Sequence, residues 1–257
     1  MAIITLNFKT AKMKKETTAK NAITPVEDSV PDRRIISASL LTVPESRLDS
    51  IVAKFHPISD ANIPYRDLTD AASKRESIRQ LIEKLDVTHS QRYQRTIEDT
   101  YCNVYSYDFC YFSKVYLPTV WWTDESIEKI LNGQTIEPVF NETVVPIYSS
   151  AIHDWFLKWG ASFGWKRMTN LDELQDKVNN EGGIGIICAK RKTVGLSGHI
   201  APIVPETKGK KAYRENGVVI YPLQSQAGKL NYNYFSKARK DWWNHERYSS
   251  HVFYYHD

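Results

Sequence analysis

The sequence predicts an α+β fold in which a helical half precedes an antiparallel sheet. Two observations carry this expectation: apolar residues recur at helical spacing up to Gly183, and short β-branched runs bounded by Gly, Pro or Lys-rich turns follow it. Consecutive strands without intervening helical pattern pair antiparallel. With 257 residues, 42% hydrophobic and 25% charged, the chain is long enough to bury a proper core.

Taken in order, residues 1–30 mix Lys, Thr, Glu and Pro without periodicity and are expected to form a poorly ordered arm. RIISASLLTVP (34–44) is β-branched and ends in proline, as a strand does. In SKRESIRQLIEKL (73–85), Ile78, Leu81, Ile82 and Leu85 share one helical face, with Ser73 and Glu76 in capping-box positions. The composition shifts near Arg95, so residues 1–95 are expected to be an N-terminal extension and residues 96–235 the main domain. Thr100 or Asp99 is expected to cap a helix from about Cys102 to Ser113, before Pro118 forbids continuation. Further helices are expected from about Asp124 to Gly133, in the Trp-rich segment ending at Gly160, and after Asn170 as far as the glycines at 182 and 183. The strands are then IGIICAK, GHIAPIVPE and GVVIYPLQSQ, and residues 236–257 are expected to pack on the core as an aromatic segment.

Composition excludes several functions. The net charge is only +4, and it resides in residues 1–95, with 16 basic against 12 acidic side chains; no concentrated basic face marks a nucleic-acid partner. No apolar run reaches the roughly 18 residues of a membrane span, so no transmembrane segment is expected. The N-terminus places its apolar residues before its lysines, unlike a secretory signal, so synthesis in the cytoplasm and export by another route is the expectation. Three cysteines, at 102, 110 and 188, form no pairing rhythm. The C-terminal histidines have no familiar zinc spacing, and neither metal nor organic cofactor is expected.

The chemistry centres on Cys102. A thiol in the first turn of a helix is favoured as thiolate by unpaired N–H groups and the helix dipole, and those N–H groups can also hold an oxyanion. Cys110, two turns on, and Cys188, in an apolar strand, read as small core residues. His199, opening a strand after Gly198, is the expected base. A third group should orient its imidazole. If the strands pair about a turn at residues 208–211, with Val204 opposite Val218 or Val219, His199 faces Leu223 or Gln224. Gln224 is then the expected third catalytic residue. Gln226, on the same strand face, is the reserve choice and otherwise a substrate contact. Glu206 lies roughly 23 Å up the strand at about 3.3 Å per residue. Tyr101, Trp121 and Trp122 have flat amphipathic rings suited to lining a substrate groove, although aromatic bulk also serves cores. Asn103, Asp108 and His153 are expected to serve local structure.

TYCNVYSYDFCYFSKVYLPTVWW resembles the nucleophile region of NlpC-like and CHAP amidases of bacterial cell walls. GGIGIICAKRKTVGLSGHIAPIVPE looks like their strand, turn and His-strand, and VVIYPLQSQAG like the next strand with its polar orienting residue. The resemblance covers roughly residues 96–235. It implies a papain-like domain, its helices packed on an antiparallel sheet, that cleaves an amide bond in the peptide stems of peptidoglycan without a cofactor. The absence of a signal is similar to amidase effectors of type VI secretion and to phage endolysins. An antibacterial toxin acting in the periplasm or cell wall, with a cognate immunity protein as partner, is the corresponding expectation. A protease or acyl transferase acting on proteins, and a non-catalytic envelope-binding module, remain alternatives. An amide at position 224 departs from the His, Asn or acidic residue found at this place in many relatives.

Overall fold

The computed structural model describes residues 31–40, 52–237 and 241–257. Among them the chain forms five helices and ten strands in an α+β arrangement. The helices are α1 (Ala71–Leu85), α2 (Cys102–Phe112), α3 (Asp124–Leu131), α4 (Ser149–Trp159) and α5 (Leu171–Glu181). Strands β1 (Val120–Trp122) and β2 (Val144–Pro146) pair with each other, as do β6 (Tyr213–Glu215) and β7 (Val218–Tyr221). The remaining six are β3 (Lys166–Met168), β4 (Ile184–Arg191), β5 (His199–Ile203), β8 (Gln224–Gln226), β9 (Tyr232–Phe235) and β10 (Tyr248–His256). They form one antiparallel sheet in the order β3-β10-β4-β5-β8-β9.

Local signals account for most helix ends. Asn170 Oδ1 accepts from the amides of Asp172 and Glu173 to start α5, and Gly182, at φ 70°, ends it in the left-handed conformation. Thr123 caps α3. Helix α1 buries Ile78, Leu81, Ile82 and Leu85 as its periodicity predicts, but its cap is Asp70, which accepts from the Ser73 amide; Glu76 instead pairs with Arg79. Helix α2 has Tyr101 at its N-cap and no side-chain cap bond, so neither Asp99 nor Thr100 closes its first turn.

The sheet is covered on both faces, and the alternation of β4 shows how. Ile184, Ile186 and Cys188 pack into the larger core with α2 and α4; Ile187 and Ala189 point to a second cluster with Leu174 and Val178 of α5 and with Trp243. Helix α2 is buried at every residue but Tyr111. A helix buried on nearly every side belongs inside a core.

Three expectations are corrected here. Residues 34–40 form no strand: Ala38 is held through both its amide and its carbonyl by the Tyr116 hydroxyl, and Ile36 O accepts from Trp122 Nε1, so side chains replace a ladder; residues 41–44 lie outside the described residues, as does the arm at 1–30. The shift at Arg95 does not divide the core, because Ile35, Phe55 and the buried face of α1 join the same cluster as α2. The aromatic C-terminal segment does bury its rings, Trp243, Tyr254 and Tyr255 among them, but as a strand of the sheet, with β10 paired along β4 from Tyr248–Arg191 to His256–Ile184.

A fourth correction sets the site. GVVIYPLQSQ is broken at Pro222 into β7 and β8. The hairpin turns at Asn216 and Gly217, both at positive φ (50° and 84°), and not at 208–211. Asn-Gly is the stronger hairpin signal, since both central positions of the tight turn need positive φ. Strand β7 therefore returns to β6, and β5 pairs with β8 through Ile203 and Gln224.

The residues before α2 are tied to it by Asp108. Its fully buried carboxylate accepts from Arg92 Nε at 2.6 Å, Arg92 Nη2 at 3.2 Å, Tyr93 Oη at 2.8 Å and the Ile58 amide at 3.1 Å, and Arg92 also donates to His56 O. Removing one partner of a buried pair strands the other's charge. Asp108→Ala is expected to cost roughly 3–5 kcal/mol in urea unfolding, against about 1 kcal/mol for loss of the α5 cap in Asn170→Ala. A similar midpoint for the two variants would show that the carboxylate does not anchor this region.

Candidate active site

Cys102 is the first residue of α2 and His199 the first of β5, brought together because α2 packs against β5. The first α2 bond of the helical ladder runs from the Tyr105 amide to Tyr101 O, so the amides of Cys102, Asn103 and Val104 precede the ladder. Helix α4 begins at the same place. Its first residue, Ser149, has its Oγ 3.2 Å from Cys102 Sγ, and its N-cap Tyr148 also makes no side-chain cap bond. Two uncapped helix starts thus converge on one sulfur, where their dipoles favour negative charge.

The thiol is 1% exposed. Burial is the largest influence and pushes its pKa upward, but the charge of His199, hydrogen bonds from His199 and Ser149, and the Ile200 amide together outweigh it and hold the thiol down to about 7. Cys110 and Cys188 lack such a set of neighbours: burial raises both, with only the Arg66 charge opposing it at Cys110, and all three cysteines are free thiols. Cys188 donates to Ser149 O, which helps position the α4 start beside Cys102.

The imidazole is oriented by Gln226. His199 Nε2 lies 2.7 Å from Gln226 Oε1, and Gln226 Nε2 donates to Leu230 O at 3.1 Å. That second bond fixes which amide atom faces the ring: the oxygen accepts, so His199 carries its proton on Nε2, and Nδ1 keeps a lone pair for the thiol proton. Gly228 gives the ring room, since a Cβ there would sit 3.2 Å from His199 Cε1. Trp242 packs against the imidazole at a centroid distance of 4.5 Å and an angle of 76°.

Gln224 is therefore not the residue on His199. It is fully buried, and its Oε1 accepts from Trp242 Nε1 at 2.8 Å. It reaches the histidine through the indole that it anchors. With the hairpin turning at Asn216–Gly217 and Ile203 set opposite Gln224, the orienting role falls to the reserve choice, Gln226.

A groove of about 1110 Å³ runs over the site, with Asn103, Val104, Gly198, His199 and Gln226 in its lining. Tyr101 also lines it, its hydroxyl 3.1 Å from Lys54 Nζ, as the sequence suggests. Trp121 and Trp122 do not. Trp121 is buried against Trp155, Trp159 and Phe163, and Trp122 donates to Ile36 O from the core, because β1 turns both rings inward. His153 is a packed histidine between Asp154 and Ser250. Glu206 binds the Ala212 amide and Arg214, away from the imidazole. Among the described residues no cluster of His, Cys, Asp or Glu could hold a metal ion, and no helix is long and apolar enough to cross a membrane.

Ser149 and Trp242 are the members that sequence reasoning missed. Ser149 opens a Trp-rich helix with nothing local to tie it to a cysteine 47 residues earlier, and Trp242 follows the segment assigned to the main domain. Comparison of the chain with protein-family models, curated proteins and solved structures finds no match.

The ultraviolet thiolate absorbance that is lost in Cys102→Ala is expected to titrate near pH 7, with thiolate present above it. In His199→Gln the midpoint should move toward the ordinary value of 9.0, and in Ser149→Ala upward by less, because the histidine charge is the largest lowering influence. An unchanged midpoint in His199→Gln would remove His199 as the cause.

Proposed function

We propose that this protein is a cysteine hydrolase of papain-like arrangement that cleaves an amide bond in the peptide stems of bacterial peptidoglycan. The observation that carries the reading is the Cys102–His199–Gln226 constellation, in which a thiol held near pH 7 meets an imidazole whose tautomer is set by a buried amide. The substrate class rests on the resemblance of the segments around Cys102 and His199 to NlpC-like and CHAP amidases. Action in the bacterial envelope, as an antibacterial effector or lysin, follows from that substrate.

His199 Nδ1 takes the Cys102 proton, and the thiolate attacks the scissile carbonyl. Amides at the start of α2 donate to the developing oxyanion, and collapse breaks the C–N bond as the imidazolium returns its proton to the leaving amine. Water, deprotonated by the same imidazole, then attacks the thioester and releases a carboxylic acid and the free thiol. Gln226 Oε1 accepts from Nε2–H throughout and stabilises the imidazolium. Trp242, held by Gln224, shields that bond from water.

Mass spectrometry of purified peptidoglycan after incubation with the protein tests the reading. New stem-peptide fragments are expected, and none with Cys102→Ala. Gln226→Ala should lower kcat roughly 10- to 100-fold by freeing the ring to adopt the wrong tautomer, whereas Gln224→Ala should cost less because it acts through Trp242. Fragments that persist in Cys102→Ala would refute the mechanism. Cleavage of protein substrates with peptidoglycan left intact would retain the nucleophile and overturn the substrate.

A further inference from the structure

We propose that Arg191 and Arg247, both packed on the ring of Tyr248 in the groove beside His199, form a carboxylate-binding subsite that selects substrates with a free acid close to the scissile amide. The subsite deepens the hydrolase reading and rests on it for its place in catalysis.

Register brings the pair to the site. Ala189 of β4 lies opposite His199, and Arg191, two residues further along β4, lies opposite Tyr248 of β10. Alternation puts Arg191 on the same strand face as Ala189, one pleat repeat of about 7 Å away. Arg247 precedes Tyr248, and the two guanidinium carbons stand 5.9 Å and 6.0 Å from the centre of its ring. Both arginines and Tyr248 line the groove that contains His199.

These cations differ from the arginines that the fold itself neutralises. Arg34, Arg79, Arg92 and Arg214 each meet a carboxylate within hydrogen-bonding distance. Neither Arg191 nor Arg247 forms an ion pair among the described residues, although Asp241 lines the same groove. Arg247 turns Nε and Nη2 toward His245, and Arg191 packs over the Tyr248 ring. The aromatic face stiffens both side chains and leaves other donors of each planar fork for a ligand. A guanidinium matches a carboxylate with two parallel N–H bonds, and a pair of them over one groove end is suited to an anionic group of the substrate. Peptide stems carry such carboxylates, and amidation removes their charge without changing their shape.

The test is isothermal titration of the Cys102→Ala protein, which binds without turnover, with a synthetic stem peptide bearing free carboxylates and with the same peptide fully converted to carboxamides. The free-acid peptide is expected to bind about tenfold tighter or better at low salt. In the Arg191→Gln/Arg247→Gln double variant that preference should fall to within about twofold, with affinity for the amidated peptide unchanged. Arg191→Lys/Arg247→Lys should restore part of it, since charge returns without the fork. Equal affinity of the parent for both peptides, binding of neither, or a preference that survives in the Gln double variant overturns the subsite. Discrimination in binding together with no cleavage by the chain that retains Cys102 would uphold the subsite and reject the hydrolase reading, so the two fail separately.

Discussion

The enclosure of α2 is the constraint from which the rest of the site follows. Ten of its eleven residues are buried, so the helix runs through the larger core, between the sheet and the chain that precedes it. A buried helix cannot leave its terminal N–H groups to bulk water, and here no side chain caps them. What meets that end is a sulfur, the start of a second helix and the groove. Thiolate character at Cys102 is thus a result of where the core needs the helix to lie.

The same enclosure explains how a buried thiol escapes the fate of its two counterparts. Cys110, two turns along the same helix, and Cys188, across the core, are driven up by burial, which the Arg66 charge offsets only in part at Cys110 and nothing offsets at Cys188. Cys102 has burial as strong, but lies where α2, α4 and β5 all present a donor or a positive charge. Position decides reactivity among three chemically identical groups. Around it the buried polar residues are joined in pairs: Gln226 with His199 and Leu230, Gln224 with Trp242, and Tyr105 with Ser225. Polar groups in a low-dielectric interior are costly unless satisfied, and once satisfied they hold their neighbours in one geometry. The imidazole therefore has little freedom to rotate away from Cys102.

Helices were legible because their signals are local. The face of α1, the Asn170 cap and Gly182 of α5, and the glycine at the end of α4 lie within a few residues of what they determine. Cys102 and His199 were also legible, as residue types in a helix start and at a strand start. The third member was not. Its identity depended on strand register, which in the structure sets Ile203 opposite Gln224, four or five residues from the expected pairing. Asn216 and Gly217 held the needed clue, since their positive φ values place the hairpin turn beyond the Lys-rich stretch and return β7 to β6.

By itself, the sequence determined the α+β class, the helix positions and the two reactive residue types, because periodicity, caps and turn residues act over one or two turns of chain. Only the tertiary structure decided that Gln226 and not Gln224 holds the histidine, that Ser149 stands beside the sulfur, that Trp121 and Trp122 face inward, and that β10 belongs inside the sheet. Each of these depends on contacts between residues far apart in the chain. Such contacts are settled by packing and register over the whole core, and no local pattern encodes them.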